Sequence, residues 1–315
     1  MPLTNTNLIY YDSNVLRLSA EKRTEYHAQV DRLIEELRKH VTQKSDLKIT
    51  KVVKAGSFAK YTILQKTTDD PIDVDVVFYI SGQDVTKSTL AGLTELIHSL
   101  LIAIYPTKSV EDFEIQRRAA TVTFVKSGLS VDVVPVIQDN SNSDHGWQYD
   151  LTTGERNLTC APCQIKFVKD RKDTDKHYRT LVRMAKRWKN FAKPPGLKSF
   201  HIELILAYLV DKNGKTENIE QRFRDFLLFI ANTELKERID FPENAFKSQK
   251  SFTDPVVIID PANHENNVAS RIMEEERKEI VQMADAAWET ANYASLQENE
   301  EAWKEIFGPR FKIKD

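Results

Sequence analysis

Two cysteines in 315 residues are too few for a disulfide framework, which agrees with a reducing compartment. No apolar run reaches the roughly 18 residues that span a bilayer. The opening Met1-Pro2-Leu3-Thr4-Asn5-Thr6-Asn7 has no basic stretch feeding an apolar one. A cytoplasmic protein without a membrane segment is expected, and the sequon Asn157-Leu158-Thr159 has no meaning without secretion. There is no internal repeat and no low-complexity tract. A phosphate-binding P-loop is missing too: Asn213-Gly214-Lys215-Thr216 resembles the end of one, but Leu209 stands where its first glycine should be, so the segment reads as a turn. The net charge of −2 argues against a general nucleic-acid coat protein.

What is present is a soluble, globular composition, 41% hydrophobic and 29% charged, in a chain long enough for two domains or one large two-lobed one. Charge is unevenly spread. Residues 166–193 are dominated by Lys and Arg and residues 274–305 by Asp and Glu, so one region attracts polyanions and another repels them.

Residues 19–42 predict a long amphipathic helix with Val30, Leu33, Ile34 and Leu37 on one face. Strands are expected at 48–53, 72–80, 119–125 and 129–136, the last two joined by Lys126-Ser127-Gly128 in a hairpin-like connection, with a helix over 87–104. Beyond about residue 160 the period turns helical: 164–171, 175–192, 199–211, 220–232, 267–296 and 298–307, with breakers at Pro194-Pro195-Gly196, Asn213-Gly214 and Asp254-Pro255. Residues 256–259 read as an extra strand or buried coil. The division expected is a catalytic lobe over residues 1–160, including the long N-terminal helix, and a helical nucleotide-binding lobe over 161–315.

One constellation names a chemistry. In Gly56-Ser57 a residue without Cβ lets backbone amides and a hydroxyl approach a phosphate closely. Asp73 and Asp75 sit two apart on a β-branched, aromatic run, so they share one face. Asp132 is the only charged residue of a second such run, Ser130-Val131-Asp132-Val133-Val134-Pro135-Val136. Paired carboxylates on a buried strand are costly without a cation between them, and magnesium takes carboxylates completed by phosphates and water. Three converging acids can hold two ions about 3.5–4 Å apart for an in-line nucleotidyl transfer. Two Mg2+ ions, or Mn2+ in their place, are therefore expected on Asp73, Asp75 and Asp132. Asp69 and Asp70, in the turn-forming Thr67-Thr68-Asp69-Asp70-Pro71, read as solvated acids.

Other candidates are weaker. Arg179, Arg183 and Lys186 share a helical face that reads either as a solvated stripe or as a basic line for β and γ phosphates, Lys186 being the direct contact. Ser199 is placed as an N-cap whose hydroxyl could also serve a phosphate. His201 and Glu203 could touch substrate, though such helix-start pairs are usually structural. Cys160 and Cys163 are expected as free thiols, with zinc aided by His145 or His177 as the alternative.

Gly56-Ser57-Phe58-Ala59-Lys60, the run from Asp73 to Gly82, Val131-Asp132-Val133-Val134-Pro135-Val136, Arg183-Met184-Ala185-Lys186-Arg187-Trp188 and the run from Lys198 to Ile205 resemble the bacterial cGAS/DncV-like nucleotidyltransferases of anti-phage CBASS systems. The run from Asp260 to Val268 also resembles a segment shared with oligoadenylate synthetases. The resemblance implies an α+β fold: a polymerase-β-like lobe with a small mixed sheet, joined to a helical lobe, with NTPs bound between. It implies that Asp73, Asp75 and Asp132 are the catalytic, metal-holding acids and that Gly56, Ser57, Lys186 and Ser199 bind the nucleotide. It is similar most of all to the clade making cyclic trinucleotides, often cyclic triadenylate, with a HORMA-domain activator and a TRIP13-like remodelling ATPase. Phe58 and Tyr61 depart from the residues that often follow the family's Gly-Ser, which could alter base or acceptor preference.

The activity expected is synthesis of a cyclic di- or trinucleotide messenger from NTPs, ATP foremost, with release of pyrophosphate and no membrane partner. The basic stretch makes double-stranded DNA a conceivable activator. Competing readings are transfer to an RNA, protein or small-molecule acceptor, a linear oligoadenylate synthetase, and a nucleotide-binding scaffold without turnover.

Overall fold

Alternate positions on the run beginning at Ile72 are apolar, and its later part, from Val76 to Ile80, is buried throughout, as suits a strand covered on both faces. A computed structural model describes residues 2–65, 72–81, 87–214, 216–248 and 250–314. Asp69, Asp70 and Gly82 lie outside the described residues, as does Lys215.

The chain folds as two compact units, one of Leu18–Tyr61 and Gln65–Lys166, the other of Met1–Arg17, Thr62–Leu64 and Phe167–Asp315. The expected break at residue 160 therefore differs from the observed one in two respects. The boundary falls inside a helix, Ala161–Thr174, and the first seventeen residues lie with the helical unit because Leu8, Tyr11 and Leu16 are part of its core.

The sheet unit contains α2 (Ala20–Lys44), β1 (Lys48–Lys54), the one-turn α3 (Gly56–Ala59), β2 (Ile72–Ser81), α4 (Lys87–Ile104), β3 (Phe113–Ile115), β4 (Ala120–Phe124), β5 (Leu129–Gln138), β6 (Gly146–Tyr149), β7 (Arg156–Thr159) and the start of α5 (Ala161–Thr174). The sheet is mixed, in the order β1-β2-β5-β4-β3, with β6 and β7 continuing from the far end of β5. β2 and β5 run parallel, and the crossover through α4, β3 and β4 supplies the long connection that parallel neighbours need. β4 and β5 form the expected hairpin, with Gly128 at φ +68° in its turn. The hydroxyl of Tyr26 on α2 donates to the Ser127 carbonyl of that turn at 2.9 Å.

The helical unit comprises α1 (Asn5–Tyr11), most of α5, α6 (Tyr178–Ala192), α7 (Ser199–Asn213), α8 (Ile219–Thr233), the short pair β8 (Ile259–Asp260) and β9 (Asn263–Asn267), α9 (Glu274–Leu296) and α10 (Glu300–Phe307). Its core is rich in aromatics: Trp188 meets Phe226 edge-on, while Trp303 stacks on Phe307. The helix expected over 267–296 starts seven residues later, because Asn267 closes β9. Among the described residues no helix is long and apolar enough to cross a membrane.

Candidate functional site

Asp75 stands directly opposite Asp132 in the parallel β2–β5 register, and Asp73 stands opposite Ser130. Adjacent strands lie roughly 4.8 Å apart and side chains at i and i+2 share a face. All three carboxyls therefore belong to one face of two central strands, as expected from the spacing. The intervening Val74 and Val131 are completely buried on the other face.

Gly56 approaches this face from β1's end. It has φ +59°, and a Cβ built on it would lie 1.7 Å from Asp75 Oδ2, so only glycine lets the turn come this close to the carboxylate. The Ala55 amide donates to the Asp75 carbonyl at 2.7 Å, tying the turn to β2, and Ser57 follows in α3. Phe58 is fully buried, its ring 4.6 Å from that of His27 and covered by the Arg23 guanidinium. Its role is to pin the Gly-Ser turn to α2. Tyr61, in contrast, is half exposed at φ 61°, with Arg23 over its ring.

Asp132 accepts a hydrogen bond of 2.6 Å from Thr121 Oγ1 on β4. Burial raises its pKa, an effect the Thr121 bond opposes and the nearby Glu114 charge reinforces. A carboxylate whose ionised form is disfavoured in this way gains from a cation, and three oxygen-donor side chains suit a hard one. The residues thus fit magnesium. The acids are nonetheless not drawn tightly together. Among the described residues, the group of three possible ligands whose donor atoms lie within 4.8 Å of one another is His145, Cys160 and Cys163.

In the helical unit the expected basic line on α6 is not a solvated stripe. Arg183 is buried and grips Asp12 through two nitrogens, Nη2 to Oδ2 at 2.7 Å, while Thr180 donates to the same carboxylate at 2.9 Å. Burial alone would raise the Asp12 carboxyl; the hydrogen bonds and charge of Arg183, with Arg17, hold it below the usual range. Lys186 is 3% exposed, with Nζ 2.6 Å from Glu203 Oε1 and 2.9 Å from Thr62 Oγ1. Thr62 also donates to Glu203 at 2.6 Å, which closes the triangle. Arg171 and Arg187 are buried as well, Arg171 between Asp211 and Glu243 and Arg187 on the Phe307 carbonyl. Four basic residues of the positive run are therefore committed to internal pairing.

Ser199 is half-buried and is the first residue of α7; the N-cap position belongs to Lys198, which corrects the expectation. Capping comes instead from His201, whose Nδ1 accepts from the Lys198 amide at 3.1 Å while Nε2 donates to the Val268 carbonyl at 3.0 Å. Burial pushes this imidazole down to about 4, so the ring is neutral. Cys160 and Cys163 are not free thiols: they are joined as a disulfide at the start of α5.

A family model described as the Second Messenger Oligonucleotide or Dinucleotide Synthetase domain, SMODS, matches residues 3–166. A protein of Escherichia coli named CBASS oligonucleotide cyclase CdnC is 58% identical over 315 residues, covering all of this chain and 99% of that one. This chain belongs to the SMODS family. The SMODS match ends at Lys166, where the sheet unit also ends. Another relative, named Cyclic AMP-AMP-AMP synthase, from E. coli strain MS 115-1, is 33% identical over 307 residues and 94% of each chain. Solved structures of the CdnC from E. coli MS115-1, one with ATP and one with HORMA-deltaN, match at TM-scores of 0.84 and 0.81 and 30% identity, each covering 98% of this chain and 99% and 98% of the other. The α+β fold expected from the sequence, a small mixed sheet with a helical region, is the fold of these SMODS relatives.

Sequence reasoning missed the partners that decide each charge. Thr62 and Glu203 for Lys186, Asp12 for Arg183 and Thr121 for Asp132 are distant in sequence or unremarkable in type, and only the alternation placing Thr121 on a strand hinted at any of them.

Proposed function

We propose that this cyclic oligonucleotide synthase of the HORMA-associated clade acts mainly on ATP and yields an adenylate-rich ring such as cyclic triadenylate. It works in anti-phage signalling, and the reading places that work in the cytoplasm. The single observation carrying the reaction is the β2–β5 register, which sets Asp75 against Asp132 with Asp73 on the same face.

In this reading Asp132, whose pKa burial raises, accepts the proton of the attacking ribose hydroxyl. Asp73 and Asp75 hold the divalent ions. Bound magnesium would supply charge neutralisation at the attacking and leaving oxygens. Gly56 keeps the turn open beside Asp75, and Ser57 donates to the donor triphosphate. Lys186 and Ser199 complete the triphosphate contacts. For Lys186 this means exchanging Glu203 and Thr62 for phosphate, since its ammonium is paired with both.

A HORMA-domain activator and a TRIP13-like remodelling ATPase form part of the proposal; support for the former is the solved complex of the relative with HORMA-deltaN. Double-stranded DNA activation has less in its favour, because four basic residues of the 166–193 stretch are buried.

The test is incubation of the purified chain with magnesium and each labelled NTP, followed by mass spectrometry and linkage-specific nuclease digestion. A phosphatase-resistant cyclic adenylate formed without an added acceptor is expected. Linear product, or transfer only to a supplied RNA or protein, would overturn the reading. The double substitution Asp73→Asn and Asp75→Asn should abolish product with an unchanged or raised melting temperature; retained synthesis would refute the metal assignment.

A further inference from the structure

The two cysteines are absorbed by no step of nucleotidyl transfer, yet they stand in a built environment. β6 and β7 pair antiparallel with Gly146 opposite Thr159, so the next pair along the ladder is His145 and Cys160. Gly146 permits this closure, since a Cβ there would meet Val136 Cγ2 at 2.6 Å and Tyr79 at 3.2 Å. The Tyr79 hydroxyl, on a fully buried side chain, donates to the Asp144 carbonyl at 3.0 Å and accepts from the Ala161 amide at 3.3 Å. One group thereby holds the residue before His145 and the residue after Cys160. The loop carrying His145 is closed by its own backbone, Asp139 N to His145 O at 3.0 Å and His145 N to Asn142 O at 3.0 Å.

Cys160 is completely buried, and the Cys163 amide donates to its sulfur at 3.1 Å. Such a bond stabilises sulfur carrying negative charge. The Nδ1 of His145 is buried and has no hydrogen-bond partner, a cost that a Lewis acid would remove. The donor atoms of His145, Cys160 and Cys163 all lie within 4.8 Å of one another, so once the disulfide opens the two sulfurs need only part to the roughly 3.7 Å edge of a tetrahedron built on zinc–sulfur bonds. Two cysteines separated by two residues, with the second in the first helical turn, present both sulfurs to one point.

We propose that His145, Cys160 and Cys163 form a zinc site, with water as the fourth ligand, that the dithiol state occupies and the disulfide state excludes. Reduction by an added dithiol transfers two electrons and two protons to the disulfide, the reductant closing to its own disulfide. Zinc then replaces the two thiol protons, which are released, and takes the His145 nitrogen. The soft donor set separates this site from the oxygen-only aspartates.

The experiment titrates cobalt(II), then zinc, into the full-length chain under anaerobic reduction, with Asp73→Asn and Asp75→Asn in place so that the aspartates do not contribute. A near-ultraviolet sulfur-to-cobalt band with tetrahedral visible bands, both erased by zinc at one ion per chain in native mass spectrometry, is expected. Both should vanish in C160S/C163S and in the oxidised protein, and His145→Ala should weaken zinc at least about tenfold. Should the serine variant misfold, zinc protection of the wild-type thiols from alkylation replaces it. Absence of the sulfur band, equal affinity in His145→Ala, or thiols alkylated at the same rate with and without zinc would each overturn the proposal. None of these readouts depends on nucleotide turnover, so failure here leaves the synthase reading intact, and the reverse.

Discussion

Gly56 is where the removal of a single hydrogen matters most. Alanine there adds backbone strain of about 1–2 kcal/mol for a left-handed φ and a methyl that must displace the Asp75 carboxylate. Since the atom met is the end of a side chain, the fold should survive while Asp75 moves off its position. Gly56→Ala is thus expected to lower the rate of nucleotide joining at least about a hundredfold (roughly 3 kcal/mol) with a melting temperature reduced by only a few degrees; a full-rate variant would contradict the proposed site. His201 carries a second residue-scale prediction. Its pKa is depressed from 6.5 to about 4, so between these values the unfolded chain takes up a proton that the folded chain refuses. Stability contributed by the neutral ring is complete above about pH 6.5 and lost as pH falls toward 4, by up to roughly 3 kcal/mol. Urea melts across that interval should show a shallower slope in His201→Gln, and an unaltered slope would mean the ring is not buried neutral.

At the scale of elements, legibility followed the density of apolar residues. β2 and β5 were readable because most positions of the first and half of those of the second are β-branched or aromatic, leaving the aspartates conspicuous. β3, β6 and β7 were not, being three or four residues long and partly exposed, so no alternation could build up. β9, Asn-His-Glu-Asn-Asn, has no apolar residue at all. It is held by side-chain bonds, with Asn267 accepting from the Ile258 amide at 2.9 Å and donating to the Val256 carbonyl at 2.8 Å. The acids paired with the α6 basic line were illegible for another reason: helical spacing reports which residues share a face, not which acids will cover it. Arg183→Met tests this directly. Leaving the buried Asp12 with only the half-exposed Arg17 and Thr180 should cost up to roughly 3–5 kcal/mol in denaturant unfolding, while the KM for ATP in the folded fraction stays as in wild type. A raised KM with unchanged stability would return Arg183 to the phosphates.

At the scale of the whole molecule, the first seventeen residues belong with Thr62–Leu64 to the unit that contains everything from Phe167 onward. Leu8 and Tyr11 are completely buried there, Asn5 accepts from the Ile219 amide at 2.9 Å and Asp12 neutralises Arg183. Deleting residues 1–17 should therefore strip hydrogen-exchange protection from α6 and α8 and spare β2 and β5; uniform loss through the chain would show that the two units unfold as one.

The parallel partnership of β2 and β5 has a temporal meaning as well. Their pairing must wait for α4, β3 and β4 to be synthesised, whereas β4 and β5 can zip locally as soon as Gly128 turns. The carboxylates of the two strands consequently meet only once β5 has been made, and a chain emerging from the ribosome no further than α4 has no Asp132 to offer. For an enzyme whose product is an alarm, a copy stopped before β5 carries only two of the three acids.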